Sequence, residues 1–389
     1  MAEILLVGAF GQRNVGDEAL CRALCRALGP HDVVVASGDP TRTRAEHGRR
    51  AVPATARGVA SALRSADAVV VGGGTLFKTL HPASGRRPTA LLRNTALLIA
   101  LARAKRVPIA LVGVGAAELR GDAARRLARH VARRADLVVL RDEESASVLT
   151  DAGVEPPFWI GADPGWLLFG TPEGGGDPDA TPIVRPRPTA RDDSRQRRVT
   201  VAVSHLANVP GTDPAELEAG LGAALERLSA HGWRVRLQPW QDTGGDADVA
   251  ARLRELVPRA EIVAAPGDLL DAAAQFGADD LVVAMRFHAL VAAGAAQRRI
   301  VAVAHEPKLA GLARRLDQIA VPPDAPPAVI DSALDWALAH PPPTRAAIDH
   351  QIELARHTLA LLDVLITPAD LQQPADLASL ELSDGEGRW

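Results

Sequence analysis

Short continuous apolar runs alternate along this chain with longer segments whose apolar residues recur at helical spacing. In the first part the runs are Glu3–Gly8, Asp32–Ser37, Asp67–Val71, Pro108–Val114, Asp136–Leu140 and a last one beginning at Phe158. They are rich in Val, Ile and Leu and apolar on both faces, the signature of buried parallel strands rather than of strands with one wet face. Helical spacing follows several of them: from Asn14 to about Leu28, over Thr89–Ala104, and from Asp142 to Asp151. A second series begins at Val199–Ser204 and continues with Trp233–Gln238, Glu261–Ala264, Leu281–Met285 and Ile300–Ala304. Helices are predicted between these at 213–231, 246–257, 267–276, 287–297 and 308–317. Strands alternating with helices predict doubly wound parallel sheets, and two such series predict two Rossmann-like α/β domains.

The break between them is equally plain. Residues 170–198 are rich in Gly, Pro, Asp and Arg and lack apolar periodicity, which predicts a flexible linker. The expected organisation is therefore an N-terminal domain over 1–169, the linker over 170–198, a C-terminal domain over 199–327 and a helical tail over 328–389. The tail has amphipathic stretches near 328–340 and 344–364 and an acidic, Pro-containing end expected to fray.

Composition narrows the classes. A chain of 389 residues that is 47% hydrophobic and 23% charged has enough apolar material for two cores. A net charge of -3, 3% aromatic residues and no tyrosine give no case for a nucleic-acid partner. Cys21 and Cys25 lie four apart on one predicted helix face, a spacing that fits buried thiols in a reducing cytoplasm rather than a redox pair. No secretory signal and no apolar run long enough to span a bilayer is visible. No cluster of His, Cys and carboxylates has metal-ligand spacing, so no metal is expected. His47, His81 and His130 are expected to be solvent-exposed.

Candidate chemistry collects where strands hand over to helices. The run Leu281–Ala284 ends at Met285-Arg286, and a helix is predicted from Phe287, so Arg286 and His288 stand at the carboxyl edge of a parallel sheet. Ligands bind at that edge. An arginine there can fork onto a phosphate or carboxylate, and a histidine can exchange a proton near neutral pH. The first strand likewise runs into a glycine loop with Gly8, Gly11 and Gly16, where Asn14 or Asp17 can cap the next helix. Such a loop suits an anionic or polar ligand, but it is neither a dinucleotide fingerprint nor a Walker loop. Gly72-Gly73-Gly74 follows the third strand and permits close approach of a ligand or a facing domain. Arg86, Arg87 and Arg93 are expected to form a solvated basic face.

Six pieces of sequence carry a family resemblance: Gly11-x-x-Asn14-x-Gly16-Asp17-Glu18, Gly72-Gly73-Gly74-Thr75-Leu76, Arg141-Asp142-x-x-Ser145, Ala162-Asp163-Pro164, Met285-Arg286-x-His288-Ala289-Leu290 and Glu306-Pro307-Lys308. In this order they resemble the polysaccharide pyruvyl transferase family, especially the branch acting on bacterial cell-wall polymers. The resemblance implies a GT-B-like pair of Rossmann domains with the active site in the interdomain cleft. It also implies phosphoenolpyruvate as donor substrate, with no separate cofactor, a saccharide or lipid-linked saccharide diol as acceptor, and a cyclic pyruvate ketal as product. A lipid-linked acceptor implies a peripheral visit to the inner membrane face. The chain departs from the family's pattern twice. His205, in Val203-Ser204-His205-Leu206, stands near the place of a usual arginine, and Phe77-Lys78-Thr79-Leu80 replaces a stretch that usually holds an acidic residue.

The expected roles follow from the chemistry. Arg286 clamps an anion, His288 or in second place His205 protonates the enol carbon, and Asp17 or Glu18 accepts a hydroxyl proton. Gly11, Asn14, Gly16, Gly73, Gly74, Thr75, Arg141, Glu306 and Lys308 complete the predicted substrate site. Two other readings share this fold: a GT-B glycosyltransferase using a nucleotide sugar, and an inactive saccharide-binding relative.

Overall fold

The computed structural model describes residues 1–82, 85–155, 157–170, 196–205, 213–241 and 245–366. Its first sheet holds β1 (Glu3–Val7), β2 (Asp32–Ser37), β3 (Arg50–Pro53), β4 (Ala68–Gly72), β5 (Thr75–Phe77), β6 (Ile109–Ala116), β7 (Leu137–Leu140) and β8 (Trp159–Ile160). The strand order is β3-β2-β1-β4-β6-β7-β8, with β5 paired to β6, and every pairing is parallel. The crossovers are α1 (Val15–Ala27), α2 (Pro40–His47), α3 (Ala56–Ala62), α4 (Ala90–Ala104), α5 (Gly121–Arg134) and α6 (Glu143–Asp151).

The second sheet repeats the scheme. Strands β9 (Arg198–Ala202), β10 (Arg234–Gln238), β11 (Glu261–Ile262), β12 (Leu281–Ala284), β13 (Arg299–Val303) and β14 (Ile319–Val321) run parallel in the order β11-β10-β9-β12-β13-β14. Helices α7 (Pro214–Ala230), α8 (Asp246–Leu256), α9 (Leu269–Phe276), α10 (Phe287–Ala295) and α11 (Pro307–Arg315) connect them. The order reverses between β1 and β4 in one sheet and between β9 and β12 in the other, and those two points are where an open α/β sheet leaves a crevice.

Several elements go beyond the apolar pattern. The α2 sequence PTRTRAEH is nearly all polar, so it has no stripe to read; Asp39 caps it and Pro40 starts it. Edge strands β3 and β14 are only four and three residues long. Helix α5 is so rich in arginine that its buried face shrinks to Ala124, Ala128 and Val131. Residues 171–195 of the predicted linker and the tail beyond 366 lie outside the described residues.

The domains share an apolar junction. Val15, Ala19 and Ala23 of α1 join the wholly buried Trp166, on the short 3-10 turn Pro164–Phe169, and pack with Phe276, Phe287, Leu290 and Leu316 of the second domain. After α12 (Pro327–Ala339), the long helix α13 (Arg345–Ile366) returns to the first domain: Ile352 and Ala355 enter the junction, and Leu362 and Ile366 pack with Ile4 and Leu6. Ion pairs rim it, Arg22–Asp268 at 2.6 Å and Arg314 and Arg315 on Glu144 at 2.8 and 2.9 Å. The buried apolar contacts hold the domains together, since an exposed pair such as Arg314–Glu144 contributes about 1 kcal/mol or less.

Candidate functional site

The carboxyl ends of both sheets open on one cleft of about 730 Å³. From the first domain its wall takes the loop after β1, Gly73 and Gly74 after β4 and the start of α1. From the second it takes Ser204, the β12–α10 turn and His305–Lys308. An antiparallel bridge between Asn14 and Gln241 ties the two sides.

His288 is the best-defined group. It sits in the first turn of α10, and its Nε2 lies 3.4 Å from Asp163 Oδ1. Phe287 packs edge-on against its ring, with centroids 5.4 Å apart. Its other side lies on Gly16: a Cβ at position 16 would stand 2.0 Å from His288 Nδ1. Gly16 therefore gives His288 room across the domain boundary. Asp163 is fully buried, accepts the Gly165 N–H at 2.9 Å and lies 3.5 Å from Arg141 Nη1. Burial pushes its carboxyl up, but the charges of His288 and Arg141 outweigh burial and hold it below the usual carboxylate range. Asp163 thus remains an anion facing His288.

Arg141 crosses the same boundary. Its guanidinium stacks over the Phe287 ring at 4.6 Å, reaches Asp142 Oδ2 at 3.2 Å and donates to Thr75 Oγ1 at 3.0 Å. Lys308 Nζ donates to the same Thr75 oxygen at 3.1 Å and pairs with Glu306. Burial pushes the Lys308 ammonium down, opposed by Glu306. Burial also pushes the Glu306 carboxyl up, but Lys308 and Lys78 overcome it and bring it down to about 2. Burial pushes the neighbouring His305 imidazole down to about 4. Asp17, half-buried at the start of α1, is raised by burial, with His288, Lys308 and Lys78 pulling the other way.

Arg286 lines the cleft but is anchored. Its Nη2 donates to both oxygens of the fully buried Asp246, at 2.5 and 2.7 Å, while its buried Nε has no hydrogen-bond partner. Asp246 opens α8 and also accepts the His205 and Trp240 N–H groups at 3.0 and 3.2 Å. It fixes the arginine's place and leaves the rest of the guanidinium for a ligand.

The structure separates the predicted site residues into two groups. Asp17, Asn14, Gly16, Gly73, Gly74, Thr75, Arg141, Arg286, His288, Glu306 and Lys308 all line the cleft. Asn14 also caps α1, accepting from Gly16 N and Asp17 N. Gly73 and Gly74 adopt φ of 65° and 70°, a region costly for side chains with a Cβ. Gly11, Glu18 and His205 do not line it. Gly11 lies against Ser37 and Asp39. The Glu18 carboxylate turns back to accept the Gly11 and Gln12 N–H groups at 2.9 and 3.1 Å, so it holds the loop. The His205 ring packs on Gly245, with Ser204 taking the place on the wall. Arg86, predicted as part of a solvated face, lines the cleft, and the His47 side chain, predicted exposed, is 5% exposed.

The sequence reading missed Asp163 as a partner of His288, Asp246 as the anchor of Arg286, and Lys78 and His305 as wall residues. Asp163 stood in a quoted motif, but only the fold brings it to His288. Asp246 carried no signal beyond a carboxylate at a predicted helix start.

Two Rossmann-like domains whose strand ends face each other across one charged cleft define a GT-B-like protein. Solved structures with this fold cover the chain almost completely. UDP-GlcNAc 2-epimerase from Neisseria meningitidis, bound to UDP-GlcNAc, has TM-score 0.59 at 10% identity over 92% of this chain and 99% of its own. S. aureus MnaA with UDP has TM-score 0.57 at 11% identity, over 94% and 96%. Anabaena HepE in complex with UDP and glucose has TM-score 0.56 at 15% identity, over 97% and 100%. At these identities the likeness is one of fold. No curated protein matches the sequence. The family profile of polysaccharide pyruvyl transferase matches residues 14–307, and the chain belongs to that family. Membership implies a transferase.

Proposed function

We propose that this protein transfers the enolpyruvyl group of phosphoenolpyruvate to two hydroxyls of a saccharide, giving a cyclic pyruvate ketal and inorganic phosphate. The observation that carries the reading is His288, set between anionic Asp163 and Gly16 on a wall that also bears Lys78, Arg141, Arg286 and Lys308. A donor with a phosphate and a carboxylate needs several cations, and an enol needs an acid.

His288 protonates C3 of the donor. Its Nε2 faces Asp163, which orients the ring, and Gly16 leaves the ring its place on the cleft wall. The double bond becomes a methyl group and C2 becomes an oxocarbenium centre. The first saccharide hydroxyl adds to C2 and gives its proton to Asp17. The C2–O bond to phosphate then breaks, phosphate leaves with the electron pair, and the second hydroxyl closes the ketal. Of the two hydroxyl protons, one balances the new methyl hydrogen and the other leaves on phosphate. Arg286 and the two lysines hold the anionic groups while negative charge gathers on the leaving phosphate.

The acceptor reading rests on a second feature of the cleft. Val59, Leu80, Leu91, Leu97, Leu98 and Leu101 also line the cleft, and Leu97 is 57% exposed. We assign these apolar lining residues to the carrier of a lipid-linked saccharide, which brings a cytoplasmic enzyme to the inner membrane face. Among the described residues no helix is long and apolar enough to cross a membrane.

The test is to incubate the protein with phosphoenolpyruvate and a panel of saccharide diols. The expected result is phosphate release matched by a product equal to acceptor plus pyruvate less one water. Transfer of sugar from a UDP-sugar, with UDP released and no phosphate from phosphoenolpyruvate, would instead place the protein with the nucleotide-sugar enzymes that share its fold.

A further inference from the structure

Next to the glycine loop, and outside the cleft lining, three side chains from two helices converge. Glu18 comes from the first turn of α1, and Glu46 and His47 come from the end of α2. One ligand atom of each lies within 4.8 Å of the other two. His47 is 5% exposed at its side chain, and its Nε2 has no hydrogen-bond partner. It faces Glu18 Oε2, which is also buried and without a hydrogen-bond partner, at 3.8 Å.

That distance is too long for a hydrogen bond and close to what a shared ion requires. Two ligands each at about 2.1 Å from a tetrahedral ion are about 3.4 Å apart. We propose that Glu18, Glu46 and His47 bind one divalent transition ion of the zinc class. An imidazole nitrogen with two carboxylates suits zinc or cobalt; magnesium and calcium prefer all-oxygen sets. Arg42 occupies one oxygen of Glu46 at 2.5 Å and leaves the other for the ion.

The ion would act on the cleft through Glu18. Oε2 is the ligand, while Oε1 already holds the Gly11 and Gln12 N–H groups. Gln12 and Asn14 line the cleft, so an ion on Glu18 stiffens the loop that carries them. The donor and acceptor reading does not depend on it.

The test uses the full chain without an affinity tag and zinc chloride as probe, followed by calorimetry, with cobalt absorption reporting the ligand field. The expected result is one zinc per chain, bound at least tenfold more weakly by both Glu46→Gln and His47→Gln. Glu46 is exposed, so its substitution tests binding without disturbing the core. Zinc is also expected to slow amide hydrogen exchange at Gly11 and Gln12. Absence of saturable binding, or binding unchanged by either substitution, would overturn the proposal.

Discussion

The two sheets reverse their strand order at the same point, between β1 and β4 and between β9 and β12, yet their carboxyl edges offer the cleft different things. The first domain contributes space and backbone at Gly8, Gly16, Gly73 and Gly74, the last two at positive φ, together with Asp17, Lys78, Arg86 and Arg141. The second contributes Arg286, His288, His305, Glu306 and Lys308: charge and titratable groups. The same topology therefore puts most of the backbone space on one side and the proposed acid, His288, on the other. The contacts that join them cross the boundary, with Gly16 under His288, Asp163 facing it, and Thr75 receiving Lys308. Neither domain holds the proposed site alone.

The most damaging change should remove the proposed acid. His288→Gln is expected to lower turnover by about 10²–10⁴, the usual worth of a positioned acid, with donor binding largely kept. Steady-state kinetics beside a donor titration checks it, and equal losses in binding and turnover would count against the acid role. Next comes the backbone space. Gly16→Ala puts a methyl group where the His288 ring lies, and moving that ring off Asp163 should cost about 100-fold in turnover while circular dichroism stays native. Unchanged activity there would break the division of labour. Asp246→Asn should weaken the anchor of Arg286 and raise the donor KM about tenfold with a smaller effect on kcat.

A pH series tests the second domain's buried charges as stability. The His305 imidazole is held at about 4 by burial against an ordinary 6.5. Between those values the unfolded chain binds the extra proton, so stability falls as pH drops from about 6.5 towards 4, by up to about 3 kcal/mol. His305→Gln should flatten that slope in denaturant titrations. Glu306 acts lower, since its depressed pKa costs stability only as pH falls from about 4.5 towards 2. The smallest expected effect is Leu97→Asp, within about 0.5 kcal/mol of wild-type stability because the side chain is exposed. It should nonetheless impair a lipid-linked acceptor more than a free saccharide, a comparison of KM values that isolates the apolar lining residues.

Most strands of the two parallel sheets and the wall residues Arg286 and His288 were legible because each follows a short apolar run into a helix start, a purely local signal, whereas Glu306 and Lys308 were read from the family resemblance. The polar α2 and the three-residue β14 carry too little apolar patterning to be read. Asp163 and Asp246 act through residues far along the chain, and only the packed fold brings Asp163 to His288 and Asp246 to Arg286. Glu18 misled for a related reason. A carboxylate in a first turn has backbone N–H groups within reach on its own loop, and there it bonds to Gly11 and Gln12 rather than facing the cleft. His47 was expected on the surface because α2 is polar, yet its ring turns in against α1.

The most direct test of the central claim is a calorimetric titration of phosphoenolpyruvate into the wild type, Arg286→Gln and Leu97→Asp. Our account predicts one donor per chain, bound at least tenfold more weakly by Arg286→Gln and unchanged by Leu97→Asp. No binding to the wild type at millimolar donor, or equal binding by all three proteins, would contradict it.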